Sequence, residues 1–284
     1  MKKLLLLTIL CVLASCRRAD VGLITLESLL DEMTDPYAAS QWPESDYRCL
    51  QTSSHDRSSV RPGEPEWFAN ADGFGYERLD TVAGRVEKVL FEDMHPGAIT
   101  RIWITTHTPD AVVRFYFDGS ETPGWVMNAY DFTEFGLKEL ENNPLLLKHT
   151  SYEKGVKGGQ TFFLPIPYSR SLKVTLEDHY ADVPRYYQFN YRRYPDDARV
   201  ESFSAEVAAR ASKKIISTGR ELSSPMHPKG RRTAAAAVLG CGDSLKLCLP
   251  EGERAVREIR FDIDVPENAS YAQVLRELIF PASF

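Results

Sequence analysis

Residues 97–119 read GAITRIWITTHTPDAVVRFYFDG, and two alternating runs within this stretch decide the fold class. In Ile102–Ile104 and in Val113–Phe117, every second side chain is an apolar one suited to a core, which is the period-two pattern of a strand. Asp118-Gly119 follows the second run at once and favours a hairpin turn. The stretch therefore predicts β-strands with one face in a core.

Further runs rich in Val, Ile, Tyr, Phe and Thr lie on both sides of this stretch and are bounded by Gly, Pro, Asp or Asn. The predicted strands are Arg85–Phe91, Gly97–Thr105, Ala111–Phe117, Gln160–Pro165, Ser171–Leu176 and Tyr186–Arg193. Many short strands with turn signals between them and almost no helix predict a mainly β fold, either a sandwich or a jelly roll.

Two helical patterns flank the strands. Apolar residues recur at helical spacing in Ile24–Thr34, which ends before Asp35-Pro36, and again in Val200–Leu222. Between the first helix and the strands, Trp42–Gly75 is rich in Pro, Gly and aromatic residues, which predicts a long ordered loop. The linker that follows Leu222 contains Ser, Pro and basic residues and marks a domain boundary.

Four more strand-like runs follow this linker. They are Thr233–Leu239, Leu245–Leu249, Val256–Val265 and Val274–Phe280. Four strands are too few to close a second sandwich of the first one's size, and a terminal strand would leave an open apolar edge. We therefore expect a first domain over residues 16–222 and the start of an incomplete second jelly roll over residues 223–284.

The first 15 residues have the features of a signal peptide. Lys2 and Lys3 precede the apolar run Leu4–Val12, which is much shorter than the roughly 20 residues that span a bilayer. Leu13-Ala14-Ser15-Cys16 resembles the bacterial lipobox, in which the Cys is lipidated. Lipidation of Cys16 predicts a protein anchored in the cell envelope, in the periplasm or at the outer-membrane surface. A plain secretory signal with an incidental Cys16 is the alternative.

The charge of the chain bears on its partners. With 34 Lys+Arg and 40 Asp+Glu, the formal net charge is −6, and removal of the first 15 residues with their two lysines makes it −8. Because contacts to phosphates need a basic face, we expect no nucleic-acid partner. Neutral ligands such as sugars suit an acidic exported protein better.

The cysteines and histidines predict neither a disulfide framework nor a metal site. Besides Cys16, the segment after the signal peptide contains Cys49, Cys241 and Cys248, an odd set. A single Cys241–Cys248 disulfide and three free thiols both stay open. The six histidines are scattered, and neither Cys-x-x-Cys nor His-Glu-x-x-His occurs, so we expect no metal and no cofactor.

Five sequence blocks, in this order, resemble the family known as domain of unknown function 2961, or glycoside hydrolase family 172. They are SSHDR (53–57), WFANAD (67–72), PGAITRIW (96–103), FYFDGSETP (115–123) and FLPIPY (163–168). The resemblance spans roughly residues 25–220, and residues 254–280 resemble the start of the family's second half. It implies a double jelly roll that cleaves furanosidic linkages, of fructofuranosides or arabinofuranosides, with two carboxylates and retention of configuration. It also implies a trimer or hexamer.

The chain departs from the family pattern at two places. His55 stands where the family usually has Tyr. The family's catalytic glutamates lie in segments of the type EGDE and GTGTEDY, and the chain contains neither; residues 251–253 read EGE but lack the context. We therefore assign no catalytic residue and expect a truncated chain. It is either part of a hydrolase completed by a second-half chain, or a non-catalytic carbohydrate-binding or structural subunit.

Two groups of residues are candidates for binding an oligo- or polysaccharide. Asp56 and Asp72 lie in the aromatic loop beside Arg57 and Asn70, and the resemblance implies that they line the pocket wall. The alternative is structural: an ion pair between Asp56 and Arg57 orders the loop, and Asn70 and Asp72 are turn residues.

The second group is on a predicted strand. Arg101 and Trp103 flank Ile102 and therefore point to the same face, where a planar donor would lie beside a stacking surface for a sugar ring. The alternative is a half-buried Trp that caps the core.

Overall fold

The computed structural model describes residues 22–43, 45–65, 67–149, 159–224, 230–240, 242–252, 256, 258–265, 267–268 and 270–279. The chain divides into two compact units, Met1–Met226 and His227–Phe284. The predicted signal peptide with Cys16, and also Cys241, lie outside the described residues. No helix in the described ranges is long and apolar enough to cross a membrane.

In the described part of the first unit, eleven strands form two antiparallel sheets. They are β1 (Arg48–Ser53), β2 (Arg78–Val82), β3 (Arg85–Asp93), β4 (Gly97–Thr106), β5 (Ala111–Phe117), β6 (Trp125–Met127), β7 (Leu146–Lys148), β8 (Gln160–Phe162), β9 (Ile166–Tyr168), β10 (Leu172–Asp178) and β11 (Arg185–Arg193). The six-stranded sheet has the order β1-β11-β4-β8-β7, with β9 also paired to β4, and the five-stranded sheet has the order β2-β3-β10-β5-β6.

The main apolar core lies between the two sheets. Its buried side chains include Phe91, Ile99, Ile102, Phe115, Phe162, Val174 and Phe189, each at most 2% exposed. Burying one such side chain stabilises the fold by about 1.5–3 kcal/mol. The prediction of a mainly β sandwich with flanking helices is confirmed.

A β-bulge in β4 determines which of its side chains reach this core. Asn190 pairs with Arg101 and the next residue, Tyr191, pairs with Ile99, so Thr100 is an extra residue in the ladder. Ile99 and Ile102 can therefore both point inward although they are three residues apart. Arg101 is adjacent to the inward-facing Ile102 in the regular part of the strand and therefore points outward, away from the core.

Two helices flank the sandwich. Helix α1 (Leu26–Thr34) begins with a capping box between Thr25 and Ser28, and helix α2 (Ala205–Ser223) begins at the N-cap Ser204. The two helices pack against each other. Both lie where the sequence predicts helices, because their apolar residues recur at helical spacing.

Five strands, β1, β2, β6, β7 and β9, lie where the sequence predicts none. The clearest case is β1, which interrupts the predicted loop Trp42–Gly75. It is an edge strand without a fully buried residue, so its sequence, RCLQTS, has no apolar alternation. What makes β1 a strand is its pairing with β11 along its whole length.

The second unit has no strand among its described residues. The four strands predicted after the linker are therefore wrong there, and Val274–Phe280 overlaps helix α3 (Tyr271–Glu277) instead. Alternation predicts which face of a strand is apolar, but a strand also needs a partner for its backbone hydrogen bonds. Cys248, like Cys49, is a free exposed thiol. The interpretation of residues 223–284 as the start of a second jelly roll stays a prediction.

Candidate functional site

The outer face of the six-stranded sheet is rich in amide and hydroxyl side chains, and we call it the amide face. We define the amide face by eight of its side chains: Gln51 and Ser53 on β1, Gln188 and Asn190 on β11, Arg101, Trp103 and Thr105 on β4, and Thr161 on β8. The register places these residues side by side: Gln51 is opposite Asn190, Asn190 is opposite Arg101, and Trp103 lies between Gln188 and Thr161. None of the eight side chains is acidic.

Hydrogen bonds connect the amide face across three strands. Arg101 Nη1 donates to Gln188 Oε1 at 3.1 Å and to Asn190 Oδ1 at 2.9 Å. Asn190 Nδ2 in turn donates to Gln51 Oε1 at 2.9 Å. These bonds hold four long side chains in place, which reduces the entropy lost when a ligand binds.

Trp103 lies next to this network on the same face. It is partly exposed and is absent from the buried core. Its cross-strand neighbour Thr161 has its hydroxyl 2.7 Å from His149 Nε2. A partly exposed indole among hydrogen-bonding groups can stack on a sugar ring while those groups bind its hydroxyls.

The candidates on β4 are thus brought together with residues that the sequence did not identify. Arg101 and Trp103 share a face as predicted, but Gln51, Gln188 and Asn190 were missed. Alternation within β11 places Gln188 and Asn190 on one face. Only the pairing of β11 with β4 shows that this face continues to Arg101.

The loop between β1 and β2 continues from the amide face, and we call its residues 54–77 the aromatic loop. Within it, Asp56 Oδ1 accepts from the Ser58 amide at 2.9 Å and from the Ser58 hydroxyl at 2.6 Å, and Oδ2 accepts from the Ala71 amide at 2.9 Å. Asp72 Oδ1 accepts from the Asp56 amide at 2.7 Å. The two predicted acids therefore lie together and connect the two arms of the loop.

This hydrogen bonding affects the chemistry of Asp56. Bonds from the Ser58 hydroxyl, the Ser58 amide and the Ala71 amide lower the pKa of Asp56 below its ordinary value of 3.8. A glycosidase acid needs the opposite, a carboxyl with a raised pKa that keeps its proton near neutrality. Asp56 is thus suited to hold the loop and unsuited to protonate a leaving group.

Arg57 has a different partner from the one expected under the structural alternative. Its Nη2 donates to Glu77 Oε1 at 2.8 Å, and its Nη1 donates to the carbonyl oxygens of Ser53 and His55 at 2.8 and 2.9 Å. The ion pair that orders this region is therefore Arg57–Glu77 and not Arg57–Asp56. Glu77 was not identified from the sequence, because it is 20 residues from Arg57.

The aromatic loop borders the amide face at the end of β1. Ser53, the last residue of β1, has its hydroxyl 3.2 Å from His55 Nδ1. Gly75 lies so close to the other arm that a Cβ there would be 2.2 Å from the His55 carbonyl oxygen. The close approach of the two arms thus requires glycine at this position.

Exposed rings are concentrated in the aromatic loop. Trp67 is 47% and Phe68 is 63% exposed, and their ring centroids are 5.6 Å apart. Asn70 is exposed in the same loop. An ordered loop with exposed rings beside the amide face extends the surface on which a chain of sugars can lie.

The opposite outer face, that of the five-stranded sheet, has a different chemistry, and we call it the ion-pair face. Its charged residues are Arg78, Asp80, Arg85, Glu87, Glu92, Arg114, Lys173 and Glu177. Arg78 contacts Asp80 at 2.8 Å and Glu92 at 2.6 Å, and Arg114 contacts Glu177 at 2.7 Å. Each cation on this face has a carboxylate partner.

Glu87 lies at the centre of the ion-pair face and is fully buried. It accepts from the Tyr116 hydroxyl at 2.9 Å, the Thr175 hydroxyl at 2.7 Å and Arg85 Nε at 3.1 Å. These bonds use both carboxylate oxygens of Glu87, so its side chain is held by its neighbours within the protein.

The described residues contain no cluster of three or more His, Cys, Asp or Glu that could hold a metal ion.

No curated protein matches the chain. Residues 45–211, more than half of the chain, match the family model described as the GH172 first beta-sandwich domain. This match covers all five sequence blocks and both sheets. The chain therefore belongs to glycoside hydrolase family GH172, and residues 45–211 form the family's first β-sandwich domain.

Proposed function

We propose that the sandwich binds carbohydrate on the amide face, as the recognition part of an exported GH172 glycoside hydrolase. The observation that carries this proposal is the network of Arg101, Gln188 and Asn190 beside the partly exposed Trp103. Family membership supports a saccharide as the ligand. We further propose furanosidic linkages, of fructofuranosides or arabinofuranosides, as the substrate class.

The side chains of the amide face suit the hydroxyl groups of a sugar. A sugar hydroxyl both donates and accepts, and an amide side chain offers an NH₂ donor and a carbonyl acceptor. The carbonyl oxygen of Gln188 is bound to Arg101, which leaves its NH₂ group to donate to a ligand. Trp103 supplies the apolar surface for the ring face.

The carboxylates needed for hydrolysis come, in this proposal, from outside the sandwich. Retaining glycosidases use two carboxyl groups about 5–5.5 Å apart. The amide face has none, and the carboxylates of Asp56 and Asp72 hold the aromatic loop. A complementing second-half chain, or a neighbouring subunit of a trimer or hexamer, would supply them. The same observations favour a second candidate, a carbohydrate-binding subunit without activity.

We also propose that the protein is a lipoprotein of the cell envelope. The Leu13–Cys16 lipobox and the apolar run before it support export and acylation at Cys16. Labelling of cells with a radioactive fatty acid should mark the wild-type protein and leave Cys16→Ala unlabelled. Equal labelling of both would contradict the proposal.

Binding of arabinofuranosyl and fructofuranosyl oligosaccharides to the purified chain, measured by calorimetry, tests the recognition role. Trp103→Ala should weaken binding about tenfold, because stacking and burial of the indole are lost. Val126→Ala, an exposed position on the five-stranded sheet, is the matched control and should change nothing. Unchanged binding in Trp103→Ala would refute the proposed site.

The chain by itself should release neither arabinose nor fructose from these oligosaccharides. Product analysis by chromatography measures this directly. Turnover that Asp56→Ala or Asp72→Ala abolishes would show that the aromatic loop is catalytic, and would replace the proposed division of roles.

A further inference from the structure

Arg101 differs from the cations of the ion-pair face in having no carboxylate partner among the described residues. Its two side-chain bonds go to the neutral amide oxygens of Gln188 and Asn190. On the ion-pair face, by contrast, Arg78, Arg85 and Arg114 each contact a carboxylate. Within the described part of the chain, Arg101 is thus a partly buried cation without a carboxylate at ion-pair distance.

The guanidinium of Arg101 retains donors for a ligand. A guanidinium has five N–H donors in a fixed plane, and both side-chain bonds of Arg101 use Nη1. The Nε and Nη2 hydrogens form the fork that matches a carboxylate with two parallel hydrogen bonds. The two amide oxygens hold this fork in position before any ligand binds.

The surroundings of Arg101 favour an anion at this point. The amide face has no acidic side chain, and the next cation along β11, Arg192, is neutralised by Glu32 at 2.6 Å. Partial burial of a cation is costly, and an anionic ligand group would offset that cost.

We propose that Arg101 binds a carboxylate of the glycan, so that the saccharide on the amide face is acidic and contains a uronate. Recognition of this charge rests on the proposed carbohydrate-binding function and adds an acidic sugar residue to the furanosidic glycan proposed there. Trp103 lies two residues from Arg101 on the same face, so the carboxylate of a uronate ring stacked on the indole is within reach of the guanidinium. A carboxylate of another protein chain would use Arg101 alone and leave the indole without a role.

The experiment compares two ligands with the same sugar chain, trigalacturonate, whose carboxyl groups are charged, and its fully methyl-esterified form, whose carboxyl groups are neutral. Calorimetry on the purified full chain should show about tenfold tighter binding of the acid, as expected for a charge-assisted pair. Arg101→Gln should remove this preference, and Arg101→Lys should retain part of it. Added salt should weaken binding of the acid and not of the ester.

Arg220→Gln is the matched control, because it removes the same charge from an exposed position on α2, and it should keep the preference for the acid. Circular dichroism and the melting temperature check that each variant is folded.

Equal binding of acid and ester to the wild type would overturn recognition of the carboxylate and leave the proposed function standing. If the chain binds neither trigalacturonate nor the furanosyl oligosaccharides, both the proposed function and the recognition of a carboxylate are wrong. If Arg101→Gln instead changes the oligomeric state in sedimentation and leaves the preference for the acid intact, Arg101 pairs with a protein carboxylate, and the inference is wrong.

Discussion

The amide face and the ion-pair face are the two outer surfaces of one sandwich, and they use their polar groups differently. On the ion-pair face, carboxylates and cations pair with one another across β2, β3, β10 and β5. On the amide face, neutral amides surround a partly exposed tryptophan and Arg101, which pairs with no carboxylate of the described residues. Polar groups that are already paired contribute to stability, whereas those with unused donors are free to bind a ligand.

The largest effect that separates the two faces is expected for Glu87→Ala. Removal of this buried carboxylate leaves the side chains of Arg85, Tyr116 and Thr175 without their partner. The free energy of unfolding should fall by about 3–5 kcal/mol, measured by urea denaturation. Oligosaccharide binding by the molecules that stay folded should be unchanged.

Glu92→Ala is the control for this prediction, because Glu92 lies on the same face and is partly exposed. It should cost less than about 1 kcal/mol. Equal losses for the two variants would mean that burial does not distinguish Glu87 from the surface pairs.

For Asn190→Ala on the amide face we expect a smaller effect, and one on ligand binding more than on stability. Asn190 connects Arg101 to Gln51, so its loss disorders the binding surface but leaves no buried charge. Affinity for oligosaccharide should fall about fivefold, which corresponds to about 1 kcal/mol, while stability changes by less than that. Calorimetry and urea denaturation measure the two quantities.

Lys173→Ala removes a polar side chain from the ion-pair face and is the matched control, with no expected change in affinity. A larger loss of stability than of affinity in Asn190→Ala would show that the amide network serves folding.

The amide face also shows which features of a sheet can be predicted from the sequence alone. Period-two alternation correctly placed Arg101 and Trp103 on one face of β4. Alternation counted back from Ile102 would also point Ile99 outward, however, and only the bulge at Thr100 turns it into the core. Bulges and register depend on the neighbouring strand, which is why Gln51, Gln188 and Asn190 could not be joined to Arg101 beforehand.

The aromatic loop shows the same limit in a different form. Its order was expected from its composition, and its two acids do lie together. Their partners could not be predicted, because Asp56 and Ala71 are 15 residues apart in the chain. A loop closes through contacts between its two arms, and neither hydrophobic period nor turn chemistry shows which residues meet.

The smallest expected effect is the pH dependence of the loop that borders the amide face. The pKa of Asp56 lies below 3.8 in the folded chain, chiefly because of the Ser58 hydroxyl and amide and the Ala71 amide. Since the unfolded chain binds the proton more readily, this stabilisation is present above about pH 4 and is lost as the pH falls through the folded pKa. Asp56→Asn, which does not titrate, should therefore be less stable than the wild type at pH 7, with the difference shrinking towards pH 3. Urea denaturation at both pH values measures it, and Glu121→Gln, which removes one exposed acid at another loop, controls for net charge. A difference that stays constant with pH would show that the charge of Asp56 does not hold the loop, and that Asp56 is available to a ligand as the groups of the amide face are.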